Sequence, residues 1–281
     1  MKISKKIISI IAIFLAVSAI ATMAEDNMGW LNNSSGTYEY FDTANWYDGV
    51  VNGLFSTNIT SKSTQNITFS SDFDVTSDTF NFNYPGEVTF TFRGDGENDV
   101  WATVLDDIVI SPKTTKGRIN FGTPTEGQKI NFDLGGECRT LTTTFSPLYF
   151  RNTFINGSLI VKGGGWMRLD GDDASAADVD VTAEYSTTLN YISEGEGAKR
   201  AHNLTMQSAN LIVRGNSSVD SVNEITESIT LDAGEMGGVN FITVEAGSRN
   251  SKLYTSEIIR RNGAIVCMRG HNFGDLPDGG V

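Results

Sequence analysis

From Asn66 onward apolar and polar side chains alternate with a period of two, the pattern of strands that bury one face. Ile67 and Phe69 begin it, and Phe80, Phe82 and Tyr84, then Val88, Phe90 and Phe92, continue it. Further runs are Ile119 and Phe121; Ile130, Phe132 and Leu134; Leu159 and Val161; Leu189 and Tyr191; Leu204 and Met206; Leu211 and Val213; Ile229 and Leu231. Turn formers separate them: Pro85-Gly86, Gly94-Asp95-Gly96, Gly135-Gly136, Asn156-Gly157, Gly163-Gly164-Gly165, Gly237-Gly238 and Asn262-Gly263. Beyond residue 24 no stretch carries the period of a long helix, and residues 174–183 offer one or two turns at most. The 29 glycines and only 5 prolines fit many short strands joined by tight turns.

Spacing suggests how such strands are arranged. Phe69, Phe90, Ile110, Phe132 and Phe150 recur at intervals of roughly 18–22 residues, a period typical of stacked repeats. A coil of short strands cannot bury its apolar face alone, whereas a pile of coils can. The expectation is an all-β fold, a right-handed parallel β-helix (β-solenoid), with a β-sandwich as the alternative. Three regions follow: a signal peptide over 1–24, an aromatic-rich capping segment over 25–65, and solenoid repeats over 66–281, truncated at the C-terminus.

The leader carries Lys2, Lys5 and Lys6, an apolar run over 7–20, and small residues ending at Ala24. That is the layout of an export signal, and the run is too short to favour a membrane span. The mature chain is expected to have no transmembrane segment and to be secreted or held at the cell surface. The formal charge of -13 becomes more negative when the three leader lysines are removed. Such a surface repels phosphate backbones, so nucleic acid is not an expected partner. Cys138 and Cys267 do not make a disulfide framework; two buried small side chains are expected in preference to a bridge.

Between residues 30 and 55 lie Trp30, Tyr38, Tyr40, Phe41, Trp46, Tyr47 and Phe55. Rings this dense can close the open end of a stack, and Trp30, Trp46 and Tyr47 are also candidates for stacking on sugars. The string TANWYDGVVNG over 43–53 resembles the aromatic segment that precedes β-helical repeats in large exported bacterial proteins. The strings NLTMQSANLIVRGNSS, ITESITLDAGEMGG and IIRRNGAIVCMRGHNFG, within 203–274, resemble autotransporter-like passenger proteins with autotransporter-associated β-strand repeats. The resemblance covers about a third of the chain at the level of motifs. It implies a β-helical surface or secreted protein, structural or adhesive and usually much longer than this chain, which is then either a truncated or split reading frame or a form whose export ends at simple secretion. The chain departs from the pattern at Asp278-Gly279-Gly280-Val281, where neither a translocating barrel nor a sorting helix follows.

Signals of catalysis are sparse. His202 and His271 have no metal-binding spacing, and neither a nucleophile elbow nor a phosphate-cradling loop occurs. The acidic run Asp170, Asp172, Asp173, Asp178 and Asp180 is the candidate calcium loop, since hard oxygen ligands suit that ion, although it lacks the full twelve-residue pattern. Paired carboxylates also raise the comparison with glycan-cleaving enzymes, for which Arg168 is the nearby partner. Arg93-Gly94-Asp95 reads as a plain turn after a strand rather than an adhesion tripeptide, and Asn58, Asn66 and Asn203 head Asn-x-Ser/Thr sites. The expected function is a surface structural or adhesive β-helix module without catalytic activity. The alternative is a carbohydrate-active protein that binds or cleaves glycans. Extracellular glycans or neighbouring surface proteins are the expected partners, with no cofactor other than calcium.

Overall fold

The computed structural model describes residues 29–32, 34–55, 63–82, 88–110, 117–144, 147–195, 197–235 and 237–270. The leader, Asn58, Tyr84, Pro85-Gly86, His271 and the last residues of the chain lie outside this set.

Strands make up 59% of the structure and helix 2%, wound as a parallel β-solenoid of about eight turns. A ten-stranded sheet forms the first face, running from Gly36–Glu39 through Thr64–Phe69, Thr89–Gly94, Arg118–Phe121, Pro147–Phe150 and Trp166–Asp170. It continues through Thr188–Ile192, Asn210–Arg214, Val239–Glu245 and Ile265–Gly270. A second ten-stranded sheet bends to form two further faces. Its strand Ile130–Thr143 pairs with Val100–Val104 through one half and with Ile108–Ile110 through the other. Between the halves the register shifts at Gly135 and Gly136, whose φ of 70° and 78° a side chain would resist. Every pairing between named strands is parallel, and neighbours in a sheet are one coil apart in sequence, which excludes the antiparallel sandwich.

Parallel register places like residues directly above one another. On the first face Phe92, Phe121, Phe150, Leu169, Tyr191 and Val213 form one inward column. Phe90, Ile119, Leu148, Met167, Leu189 and Leu211 form a second. Ile108, Leu141, Val161, Ala183, Met206 and Leu231 line the third face. All of these are buried in one core. Rungs about 4.8 Å apart suit stacked rings. Accordingly Phe92 stacks on Phe121 at 5.4 Å, and Phe132 on Phe154 at 5.2 Å.

The expected interval of about twenty residues is corrected by this register. Equivalent positions are 19 residues apart from Phe150 to Leu169 and 31 apart from Val213 to Val244. The five residues that suggested the period are not equivalent. Phe90 pairs with Gln65 on the first face, Phe132 with Ala102 on the second, and Ile110 with Thr143 on the third. Each coil places large apolar residues on three faces, so the apparent period counted steps between different columns and, after Phe90, between different faces.

The aromatic segment packs over the first coil. Trp30 bridges Trp46, and their rings meet edge to face at 5.0 Å. Tyr40 stacks on Phe69 at 4.6 Å, and Phe55 on Phe82 at 5.2 Å. The indole nitrogens are satisfied internally, Trp30 Nε1 donating to Gln65 Oε1 at 2.8 Å and Trp46 Nε1 to the Tyr40 carbonyl at 2.6 Å. The solenoid begins before residue 66, because Gly36–Glu39 already pairs with Thr64–Phe69. Cys138 and Cys267 are free. Cys138 is exposed, contrary to expectation, because it points outward beyond the Gly135-Gly136 corner, and Cys267 is half-buried.

Candidate functional site

The side chains that alternate with the core columns face outward and form columns of their own. On the first face one runs through Thr91, Asn120, Tyr149 and Arg168, and beside it lie Arg118, Pro147 and Trp166; on the next rung Asn190 and Thr188 continue the register but are buried. The Arg118 guanidinium lies 4.3 Å from the centre of the Tyr149 ring, and that of Arg168 lies 4.9 Å from it. Both are cation–π contacts. Asn120 Nδ2 donates to Thr91 Oγ1 at 3.0 Å, a rung-to-rung polar ladder. Trp166 keeps 40% of its surface exposed. Between these columns and the 122–124 turn lies a cleft of about 230 Å³, lined by residues including Thr91, Arg118, Asn120, Tyr149, Arg151 and Asp170.

Asp170 is the buried carboxylate of this cleft. Arg151 Nη2 reaches its Oδ2 at 2.6 Å and Arg168 Nη2 its Oδ1 at 2.9 Å, while Arg151 Nη1 lies 3.7 Å from Glu194. Arg168 Nε is buried without a partner among the described residues. Both oxygens of the Asp170 carboxylate are thus occupied by guanidinium donors.

Beneath the following turn lies Arg200, which has no exposed surface. Its guanidinium donates to Asn223 Oδ1 at 2.7 Å and to the carbonyls of Gly171 at 2.9 Å, Ile192 at 2.6 Å and Ala174. Burial lowers its pKa to about 10, opposed by nearby Tyr191, Asp172, Asp170 and Glu194. Arg200 ties the 171–174 turn to the interior and so positions Asp170.

The five aspartates of the expected calcium loop are not brought together. Asp170 faces Arg151 and Arg168, and Asp173 pairs with Lys129 at 2.9 Å. Asp172 Oδ1 accepts from Ser193 Oγ at 2.8 Å and from the Glu194 amide at 2.9 Å. Asp180 accepts from Asn203 Nδ2 at 2.9 Å, and Asp178 stands exposed. No cluster of three or more His, Cys, Asp or Glu side chains able to hold a metal occurs among the described residues.

Of the candidates for sugar stacking, Trp30 is 3% exposed and Trp46 1%, so neither offers a face to a ligand, and Tyr47 is half-buried. They fill the end of the core because the chain folds back over its first coil. Arg93 is half-buried against Gln128, with Nη1 2.7 Å from Oε1, so the Arg93-Gly94-Asp95 sequence does not project as a free tripeptide. His202 sits half-buried in a turn, and Asn66 and Asn203 join the rung-to-rung ladders.

Sequence reasoning missed Arg118, Tyr149 and Arg151 as a group, because they lie on two coils whose register no motif reveals. Arg200 left a faint signal: in Ala198-Lys199-Arg200-Ala201 the alternation places Arg200 on the inward side with Ala198.

Fold and site together define a parallel β-solenoid with a polar, arginine-bearing cleft on one outer face. Comparison with protein families, curated proteins and solved structures finds no match. No helix among the described residues is long and apolar enough to cross a membrane.

Proposed function

We propose that this chain is an exported, non-catalytic surface module, a structural rod whose first face is adhesive. The leader and the acidic surface support the exterior location, and the motifs resembling passenger proteins support the structural or adhesive role. The observation that carries the reading is the cleft around Tyr149: it opens outward from a flat, stacked face, and Asp170, its buried carboxylate, is locked between Arg151 and Arg168. That geometry suits holding a ligand better than acid–base turnover, which requires a carboxyl oxygen within hydrogen-bond reach of the reacting group, whereas both Asp170 oxygens face guanidiniums. Glycans or neighbouring surface proteins are the partners of such a face.

The test uses purified chain from residue 25 onward, incubated with a polysaccharide panel and with intact cells. The reading expects saturable binding without release of reducing ends. Release abolished by Asp170→Asn would replace it with a glycan-cleaving enzyme, and absence of binding to glycans and cells alike would remove the adhesive half.

A further inference from the structure

We infer that the cleft around Arg118 and Tyr149 is a binding site for saccharides that carry carboxylate groups; this rests on the adhesive reading and names its ligand class. The chain as a whole is strongly acidic, yet three arginines, Arg118, Arg151 and Arg168, converge on this one patch against the single buried Asp170. Arg151 and Arg168 are engaged by Asp170, and Arg151 also lies 3.7 Å from Glu194, so two carboxylates balance the two guanidiniums of the floor. Arg118 has neither a hydrogen bond nor an ion pair among the described residues; its guanidinium only lies over the Tyr149 ring. A planar fork held over an aromatic ring, with its donors unspent and exposed, is preorganised to take a carboxylate bidentately.

The remaining lining suits sugar hydroxyls. Asn120 Nδ2 donates to Thr91 Oγ1, while its Oδ1 is without a partner among the described residues and can accept from a hydroxyl. An extended peptide finds less here, because the strands flooring the cleft are paired on both sides and leave no edge for strand addition. The acidic surround sharpens selection. Long-range repulsion gives an anionic polymer no general attraction, so only a carboxylate that reaches Arg118 gains from contact.

The probes are polygalacturonate, hyaluronate and alginate, each beside its methyl-esterified form, titrated against the purified chain by calorimetry. At least one free acid should bind, its ester should bind at least about tenfold more weakly, and Arg118→Ala should cost a similar factor. Arg118→Lys should recover part of the loss, because charge is restored without the fork. Lys162→Ala, on another face, should change nothing, and circular dichroism would verify that each variant is folded. Equal binding of acid and ester, or full affinity in folded Arg118→Ala, overturns the assignment. If neutral glycans or cells bind while all three acids fail, the cleft assignment falls and the adhesive reading stands; if nothing binds, both fall.

Discussion

Phe121 and Phe150, 29 residues apart in the chain, lie face to face with ring centroids 4.9 Å apart and planes 12° from parallel. They are register partners on successive coils, so the contact exists only because the strands pair in parallel with that alignment. Phe92 and Leu169 extend the column on either side.

Truncating this column should be costly. Phe121→Ala removes a fully buried ring and leaves a cavity that a paired backbone cannot close, a loss of about 3–5 kcal/mol in urea unfolding. Phe150→Ala should cost a comparable amount. Because the rings touch, the double variant should lose less than the two singles together, by about 0.5–1.5 kcal/mol. Strict additivity would mean that the rings do not meet.

Arg200 is the second point of fragility. Arg200→Ala would orphan the carbonyls of Gly171, Ala174 and Ile192 and the Asn223 amide oxygen, and a loss of about 3–5 kcal/mol is expected. The effect should reach the surface as faster hydrogen exchange in the 171–176 turn. Unchanged exchange there would show that Arg200 does not position Asp170.

Corner glycines set where the chain can bend. Gly157 has φ of 155°, and a β-carbon there would run into the Glu137 carbonyl of the coil beneath and lie 2.7 Å from Leu134 Cβ. Gly157→Ala should therefore destabilise by about 1–3 kcal/mol in the same urea assay.

Acid should loosen the contact between Asp232 and the 261–264 turn only once the pH falls below the range in which ordinary carboxyls are protonated. The Asn262 amide and the Gly234 N–H hold its carboxyl pKa below the usual value. A depressed carboxyl contributes stability that is present above the unfolded pKa and lost as pH falls through the folded one. Carbon-detected NMR should find the Asp232 midpoint below that of an ordinary aspartate, and Asn262→Ala should raise it. A midpoint indifferent to Asn262→Ala would contradict the hydrogen bond.

Calcium should be dispensable. Asp170, Asp172, Asp173 and Asp180 already have separate partners in protein groups, so excess EDTA should leave the melting temperature unchanged. A clear fall would point to a bound ion that these geometries do not indicate.

The fold was legible because alternation such as Phe90-Thr91-Phe92 reports one buried face directly, and the glycine pairs mark corners. Coil length was not legible. Each turn carries phenylalanines on several faces, and loops of unequal length stretch one coil to 31 residues and shrink another to 19. The aspartates are close in sequence but take separate partners that local pattern does not reveal: Arg151, which holds Asp170, is 19 residues upstream of it, and Arg200, which holds the turn after it, 30 residues beyond. Ring burial at Trp30 and Trp46 depends on the chain folding back over its own end, which local pattern does not encode.

Stacked rungs predict distances that grow in proportion to coil number. In a Cys138→Ser, Cys267→Ser background, spin labels at the partly exposed outward positions Asn120 and Thr243 are separated by five rungs, and those at Asn66 and Thr243 by seven. At about 4.8 Å per rung, electron–electron double resonance should find separations near ~24 Å and ~34 Å. Distances that do not rise with rung number, or a second pair no farther apart than the first, would contradict the solenoid and everything built on its outer face.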